Sequence, residues 1–302
     1  MTLSDRKNHH MPANTSDLSL CTPAWLQQHL NDRDTVVLDS TWHLPTTGRN
    51  AAAEYLEAHI PGARRFDIDA VADQTTSLPH MLPTPDAFAA SELGIGNADR
   101  VIVYDNSDVR SAYRAYWMFK VFGHDRVSVL NGGLGAWRHT GLLLESGAPA
   151  PVEPKTFTAQ LPSEQVVNYD QVQENIERAE DDAGRRQILD ARGAPRFSGA
   201  LPEMRPGLSS GHMPGAINVP YSQVFVPETG EMRSSAELRE LFEKRGVRLD
   251  HPIITSCGSG VTACVLYAAL QHAGATAPIA VYDGSWTEYA SRPTSRIVKQ
   301  TV

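Results

Sequence analysis

The stretch IITSCGSGVTA, residues 253–263, joins a β-branched apolar run to one cysteine and two glycines. This order predicts a strand, a tight loop and the first turn of a helix, with Cys257 at the carboxyl end of the strand. In an open α/β sheet, ligands bind at that edge. A row of backbone N–H groups leading into a helix attracts anions and favours a thiolate over a thiol. We therefore expect Cys257 to be a charged, exposed and reactive cysteine rather than a small core residue.

The pattern around Cys257 repeats an earlier part of the chain. Four pairs of landmarks recur in the same order at an offset of about 152 residues: Asp39 and Asp190, HIPGA at 59–63 and HMPGA at 212–216, Asp105 and Cys257, and Gly132 and Gly284. Each copy alternates short β-branched runs with helical stretches, which is typical of a parallel sheet with helices on both faces. The chain is therefore predicted to contain two tandem α/β domains.

The changes in composition predict the boundaries of these domains. A segment rich in proline and alanine separates the two copies, and the polar ends of the chain have no periodic pattern. The predicted parts are a disordered tail at 1–17, a first domain at 18–144, a linker at 145–165, a second domain at 166–292 and a tail at 293–302.

The composition excludes several classes of protein. The 302 residues carry a formal net charge of −8 and form no basic block, which argues against a nucleic-acid partner. No apolar run approaches the roughly 18 residues of a membrane span, and the N-terminus has no apolar core of a signal peptide. Three cysteines do not form a disulfide framework, so we expect a reducing compartment, the cytoplasm, with Cys21 and Cys264 in the core.

The first copy differs from the second at the position of the cysteine. Asp105 stands there, followed by Asp108 and no glycine, and two acids would repel an anion. We expect the first domain to lack a nucleophile and to form one wall of a cleft. His59 and His212 occur in both copies, so we interpret them as hydrogen-bonded residues that fix the PGA turn rather than as metal ligands. No metal site is predicted.

These residues resemble the rhodanese superfamily, specifically its two-domain sulfurtransferases. YLEAHIPGARRF at 55–66 is similar to the N-terminal signature of the family, and VYDGSWTEY at 281–289 to the C-terminal one. The resemblance covers roughly residues 18–290 and implies two tandem rhodanese-like domains, the second of them catalytic. The loop CGSGVT at 257–262 is similar to that of 3-mercaptopyruvate sulfurtransferases. Thiosulfate sulfurtransferases typically carry two charged residues where this chain has Gly258 and Ser259.

The resemblance implies a role for individual residues. Cys257 is the nucleophile, and the arginines at 196 and 205 bind the carboxylate and carbonyl of the donor, since guanidinium can bind a carboxylate through two hydrogen bonds. The implied substrate-binding set is Arg196, Arg205, Gly258, Gly260, Val261 and Thr262. Arg192 is a competitor for this role, but we expect it to pair with local carboxylates and to hold its loop.

The resemblance also implies a relay of serine, histidine and aspartate that maps onto Ser259, His80 and Asp69. Asp69 would orient His80, and His80 would polarise the hydroxyl of Ser259 toward the carbonyl of the donor. The alternative is that His80 caps a loop and Asp69 is a turn residue. Spacing along one chain does not decide between the two, because the residues come from different domains.

The predicted function is sulfur transfer without a cofactor. Cys257 takes sulfur from 3-mercaptopyruvate, releases pyruvate and passes the sulfur to cyanide, a thiol or a thioredoxin-like protein. One alternative is thiosulfate as the donor, and another is a non-catalytic persulfide carrier. A cysteine phosphatase is remote, because the segment GSGVTACVLY after Cys257 contains no arginine to hold a phosphate.

Overall fold

The computed structural model describes residues 20–89, 93–160 and 164–299, so the predicted disordered tail at 1–17 lies outside the described residues. Within the described segments the chain forms two five-stranded parallel sheets, one after the other. The first sheet contains β1 (Leu20–Cys21), β2 (Thr35–Asp39), β3 (Arg64–Arg65), β4 (Arg100–Tyr104) and β5 (Val127–Leu130). Its helices are α1 (Pro23–His29), α2 (Ala51–Glu57), α3 (Ile68–Val71), α4 (Pro85–Ala89), α5 (Ala112–Val121) and α6 (Gly133–His139).

The second sheet repeats this arrangement. Its strands are β6 (Val166–Val167), β7 (Gln187–Asp190), β8 (Ile217–Asn218), β9 (Ile253–Ser256) and β10 (Ile279–Tyr282). Its helices are α7 (Tyr169–Glu177), α8 (Ala194–Ser198), α9 (Ser235–Lys244), α10 (Ala263–His272) and α11 (Ser285–Ser291). The strand orders β1-β5-β4-β2-β3 and β6-β10-β9-β7-β8 are the same when the copies are aligned, which confirms two tandem domains of one fold.

Both faces of each sheet are covered by helices, as predicted. Neighbouring residues of a strand point to opposite faces. Val36 and Leu38 of β2 pack into the same cluster as α5, whereas Val37 packs with Leu26 of α1 and Trp137 of α6. Strands with an apolar residue at every position are therefore needed, and the continuous runs VVL and VIVY provide them.

The two domains share one apolar core. Helix α5 of the first domain packs against α10 of the second, and their side chains belong to a single buried cluster. Helix α10 begins directly after the loop that carries Cys257, so this contact brings the first domain over the cysteine loop. No helix in the described segments is long and apolar enough to cross a membrane.

The two HxPGA motifs have the same structural role, as predicted. The ring of His59 stacks on Tyr55 at 4.1 Å between centroids, and the ring of His212 stacks on Phe197 at 4.0 Å. Nδ1 of each histidine also lies within hydrogen-bond distance of the carbonyl of its stacking partner, at 2.7 and 2.9 Å. Both histidines are therefore part of the fold.

The segments that follow each domain are attached to these motifs. Glu145, the first residue of the predicted linker, forms an antiparallel bridge with His59, and Val298 of the predicted C-terminal tail forms the same bridge with His212. The part of that tail up to residue 299 is therefore fixed to its domain by backbone hydrogen bonds. The boundaries proposed from composition remain predictions.

Candidate active site

The segment around Cys257 has the predicted local structure. Strand β9 ends at Ser256, the loop runs from 257 to 262, and α10 begins at Ala263. The prediction of an exposed cysteine is wrong, however, because only 2% of Cys257 is exposed. The residue lies within the core that the two domains share, where Tyr221 packs against the same cluster. The cluster contains residues of both domains, so the sequence of one domain does not predict this burial.

The loop is held at its first residue, where the N–H of Cys257 donates to Oγ of Ser285 at 3.1 Å, and otherwise by its carbonyl groups. The carbonyls of Cys257 and Gly258 accept hydrogen bonds from the N–H groups of Trp286 and Thr287, both at 2.9 Å. Across the described ranges, the N–H groups of residues 258–262 donate to no other protein group. An anion cradle requires this arrangement, since its N–H groups must be available to the ligand.

The two predicted substrate arginines lie beside this loop. Nη2 of Arg196, on α8, is 3.4 Å from the position that a Cβ would take on Gly258. Nη1 of Arg205 donates to Oγ1 of Thr287 at 3.3 Å, and that hydroxyl donates to the carbonyl of Gly258 at 2.7 Å. Arg196 therefore lies beside Gly258, and Arg205 is joined to the carbonyl of Gly258 through the hydroxyl of Thr287.

Arg205 interacts electrostatically with Cys257 and with the charged groups around it. Burial lowers the pKa of Arg205 below its ordinary value, and the positive charge of Arg196 acts in the same direction. Negative charge on Cys257 opposes this shift, as do the carboxylates of Glu203 and Asp69. The guanidinium stays protonated at neutral pH, because the ordinary value of arginine is so high. Arg205 is thus a cation within electrostatic reach of Cys257.

Arg192 has the structural role that the sequence predicts for it. Its buried guanidinium donates to Asp190 at 2.6 Å, to Glu203 at 2.6 Å and to the carbonyl of Gly211 at 2.7 Å. Glu203 also pairs with Arg196, so one buried carboxylate joins two arginines. This carboxylate fixes the Arg196 side chain next to the loop, and sequence reasoning did not assign it any role.

The structure brings Asp69 and His80 together. Nδ1 of the buried His80 lies 2.7 Å from Oδ1 of Asp69, an ion-pair distance, without the alignment of a straight hydrogen bond. The other oxygen of Asp69 accepts a hydrogen bond from Nε1 of Trp42 at 2.7 Å. Burial alone would raise the pKa of Asp69, but the contacts with His80 and Trp42 and the charge of Arg205 outweigh it, and the pKa is lowered.

No hydrogen bond joins the third member of the predicted relay to His80 in the described residues. Ser259 is partly exposed, and Nε2 of His80 is buried without a hydrogen-bond partner in the described structure. The backbone of His80 has a φ of 61°, a left-handed conformation that is uncommon for residues other than glycine. Such strained conformations are concentrated at active sites and ligand-binding sites. The structure thus provides a histidine with one nitrogen beside a carboxylate and the other without a partner.

The other two cysteines lie in the core, as predicted. Burial raises the pKa of Cys21 to about 12 and also raises that of Cys264. Cys264 is fully buried in the first turn of α10, where its thiol donates to the carbonyl of Gly260 at 3.2 Å. Neither thiol is therefore a thiolate at neutral pH, and Cys257 is the candidate nucleophile.

In the first domain, the equivalent cradle is filled by its own side chain. The carboxylate of Asp105 accepts hydrogen bonds from the N–H groups of Ala112 at 2.7 Å and Ser107 at 3.1 Å. Burial raises the pKa of Asp105, and these hydrogen bonds act in the opposite direction. A loop that already binds a carboxylate has no place for a substrate anion, in agreement with the prediction that this copy lacks a nucleophile.

Comparison with known proteins gives the same assignment. The model of the rhodanese-like domain matches residues 22–140 and 168–292. The chain belongs to the rhodanese-like family. It is 44% identical to the 3-mercaptopyruvate sulfurtransferase of Escherichia coli strain K12, over 89% of this chain and 93% of that one. It is 42% identical to thiosulfate/3-mercaptopyruvate sulfurtransferase 1, mitochondrial, of Arabidopsis thaliana, over 92% and 79%.

Among solved structures, the crystal structure of SseA from Escherichia coli, a 3-mercaptopyruvate sulfotransferase, matches with a TM-score of 0.78 and 41% identity. The match covers 89% of this chain and 99% of SseA. These comparisons confirm the predicted enzyme class, a sulfurtransferase that acts on small-molecule sulfur donors and acceptors.

Proposed function

We propose that the enzyme moves sulfur from 3-mercaptopyruvate to an acceptor through a persulfide on Cys257. The observation that carries the proposal is the pair Arg196 and Arg205 beside an uncharged loop, Gly258 and Ser259, next to the buried cysteine. Two guanidinium groups fit the carboxylate and the carbonyl of such a donor, and charge-assisted hydrogen bonds to a carboxylate are among the strongest in proteins. The donors named for the relatives in Escherichia coli and Arabidopsis support the same choice.

The first half-reaction makes the persulfide. The thiolate of Cys257 attacks the sulfur of 3-mercaptopyruvate, and the bond between that sulfur and carbon breaks. The electron pair leaves with the carbon as the enolate of pyruvate, which takes up the proton of the donor thiol. The outer sulfur of the resulting persulfide carries negative charge, and the N–H groups of residues 258–262 are available to stabilise it.

The second half-reaction returns the cysteine to its starting state. Cyanide, a small thiol or a thioredoxin-like protein attacks the outer sulfur, and the thiolate of Cys257 leaves. Two half-reactions through one covalent form give ping-pong kinetics. The three cysteines are free, which suits the reducing compartment that a thiol acceptor requires, and we propose the cytoplasm as that compartment.

Asp69 and His80 are proposed to act on the carbonyl side of the donor. The negative charge of the departing enolate develops on its oxygen, and a hydrogen bond there lowers the barrier. The ion pair with Asp69 keeps His80 oriented, and the unpartnered Nε2 supports a role for the ring toward Ser259 or the donor itself. In this proposal Ser259 completes the relay when the donor is bound.

Thiosulfate is the second candidate donor, because the name of the Arabidopsis relative includes it. The uncharged Gly258 and Ser259 argue against it as the main substrate. Steady-state sulfur transfer to cyanide tests the choice, with Cys257→Ser as the inactive control. We expect kcat/KM for 3-mercaptopyruvate to exceed that for thiosulfate by about tenfold or more, which is about 1.4 kcal/mol in the transition state. The reverse preference would contradict the proposed donor.

A persulfide carrier without substrate binding remains distinguishable from an enzyme. In a carrier, the arginines would have no donor to hold. The Arg196→Ala, Arg205→Ala double variant would then load sulfur from 3-mercaptopyruvate as fast as the wild type. We expect loading to slow by about tenfold or more, since at least one charge-assisted hydrogen bond to the donor is lost.

A further inference from the structure

A buried charge from the first domain lies against the cysteine loop of the second. Arg114, on α5, is fully buried. Its Nη1 donates to Oδ1 of Asp283 at 2.7 Å and to the carbonyl of Gly260 at 3.3 Å, and its Nη2 donates to the carbonyl of His80. The other oxygen of Asp283 accepts the N–H of Leu82 at 2.8 Å. One ion pair therefore joins the histidine segment to the cysteine loop.

The approach of the guanidinium to the loop is close. Gly260 has a φ of +79°, and a Cβ on it would lie 3.2 Å from Nη1 of Arg114 and 2.7 Å from the carbonyl oxygen of Asp283. Burial is the largest single effect on the pKa of Arg114 and lowers it, but the charges of Asp283 and Cys264 and the hydrogen bonds to them together raise the pKa above its ordinary value, so the guanidinium is charged. The second glycine of the loop thus makes room for this ion pair.

Stability alone is a weak explanation for such an arrangement. The desolvation of a buried ion pair offsets most of its Coulomb energy, and apolar replacements are often as stable. What an apolar pair would lack is the set of directed hydrogen bonds to the two backbone carbonyls of His80 and Gly260. These two carbonyls belong to the two parts of the site that come from different domains.

We propose that Arg114, held by Asp283, is a positioning residue that sets His80 at its working distance from the cysteine loop. The inference rests on the proposed function at one point, the participation of His80 in the reaction. It assigns a role to Asp283, which belongs to the C-terminal signature, and to a charge within the apolar segment SAYRAYWMFK at 111–120.

The proposal predicts a specific division of the kinetic effect. Arg196 and Arg205 both belong to the second domain, so binding of the donor carboxylate does not depend on the Arg114 contacts. Loss of these contacts should lower kcat by about tenfold to a hundredfold, because a displacement of about 1 Å from the reacting geometry has an effect of that size. KM should change by less than about threefold, because the arginines that bind the donor carboxylate stay in place.

Two variants and one control separate this role from a merely structural one. Arg114→Lys keeps a charge opposite Asp283 but lacks the planar fork that reaches two carbonyls. The double variant Arg114→Met, Asp283→Asn leaves no buried charge without a partner, so it should fold. Tyr116→Phe is the control, because the Tyr116 hydroxyl donates to Gln271 at 3.3 Å across the same contact of α5 with α10, away from the loop.

The decisive measurement is a double-variant cycle with His80→Asn, since asparagine tolerates the left-handed backbone of this position. If Arg114 acts through His80, adding Arg114→Met, Asp283→Asn to His80→Asn should lower kcat by less than about twofold further. Tyr116→Phe should keep wild-type kcat, and Arg114→Lys should recover only part of it. Thermal unfolding of each variant, measured alongside, reports that the fold is intact.

Several outcomes would overturn the proposal. The first is that the losses of kcat in the separate variants multiply in the combined variant, and the second is an increase in KM as large as the loss in kcat. The third is a wild-type kcat in the double variant of Arg114 and Asp283, and the fourth is full activity of His80→Asn. The cycle is run with whichever sulfur donor the wild type turns over fastest. A wrong choice of donor in the proposed function would then leave this test valid, and the two failures can be told apart.

Discussion

Replacing Gly260 by alanine should disturb the cysteine loop through two separate physical effects. The residue has a φ of +79°, and a left-handed conformation costs an L-residue about 1–2 kcal/mol. The added Cβ would also lie 2.7 Å from the backbone oxygen of Asp283, closer than atoms can approach, so the loop must move. Overpacking of this kind costs about 1–3 kcal/mol. The expected loss of stability is therefore about 2–5 kcal/mol.

Two matched variants separate these effects. Gly62→Ala has the backbone strain alone, since its φ is +72° and no atom lies within 4 Å of the new Cβ, so we expect a loss of about 1–2 kcal/mol. Gly258→Ala has neither effect, because the new Cβ would lie 3.4 Å from Nη2 of Arg196, an ordinary van der Waals distance, and the backbone of Gly258 is not left-handed. We expect its stability to stay within about 1 kcal/mol of the wild type, since alanine also restricts the unfolded chain.

The assay is urea unfolding of all three variants, together with kcat/KM for the preferred donor. The account predicts the order of destabilisation Gly260→Ala, Gly62→Ala, Gly258→Ala, with a large loss of kcat for the first and wild-type kcat for Gly62→Ala. A Gly260→Ala variant that is no less stable than Gly62→Ala and fully active would refute the reasoning. It would mean that the loop does not need its close approach to Asp283.

Three further predictions concern the charged groups of the site. Arg205→Lys should lower kcat/KM by about thirtyfold, because one charge-assisted hydrogen bond of about 2 kcal/mol to the donor is lost; steady-state kinetics test this, and an unchanged value would contradict it. Arg192→Met should destabilise the protein by about 3–5 kcal/mol, because Asp190 would be left as a buried charge without its arginine and Glu203 would keep only Arg196, and urea unfolding measures the loss. The pKa of Asp69 is lowered in the folded protein, so its ion pair adds stability above the ordinary carboxyl value of 3.8 and loses it as the pH falls through the lower folded pKa. Asp69→Asn should therefore weaken the acid dependence of unfolding below that pH, and an unaltered dependence would show that the ion pair contributes nothing.

The local structure of the site could be predicted from the sequence because it depends on neighbouring residues. The β-branched run up to Ser256, the loop from 257 to 262 and the apolar helix after it each have a pattern of their own. The duplication was visible for the same reason, since each copy repeats the pattern with HIPGA at 59–63 and HMPGA at 212–216.

The burial of Cys257 could not be predicted, because the packing of α5 on α10 is a property of the domain interface. The same holds for the pairing of Arg114 with Asp283, which are distant in the sequence. One signal was present: an arginine within an otherwise apolar helix requires a partner, since buried arginine is rare without one. The sequence does not say which carboxylate it meets. Ser259 and His80 also come from different domains, and no hydrogen bond joins them in the described structure.

The central claim is the covalent persulfide on Cys257, and intact-protein mass spectrometry tests it most directly. The enzyme is mixed with 3-mercaptopyruvate without an acceptor, and the mass is recorded before and after cyanide is added. The account predicts a gain of the mass of one sulfur atom, located by peptide mapping at Cys257, its loss on adding cyanide, and no gain in Cys257→Ser. Sulfur on Cys21 or Cys264, or turnover without any sulfur on the protein, would contradict it.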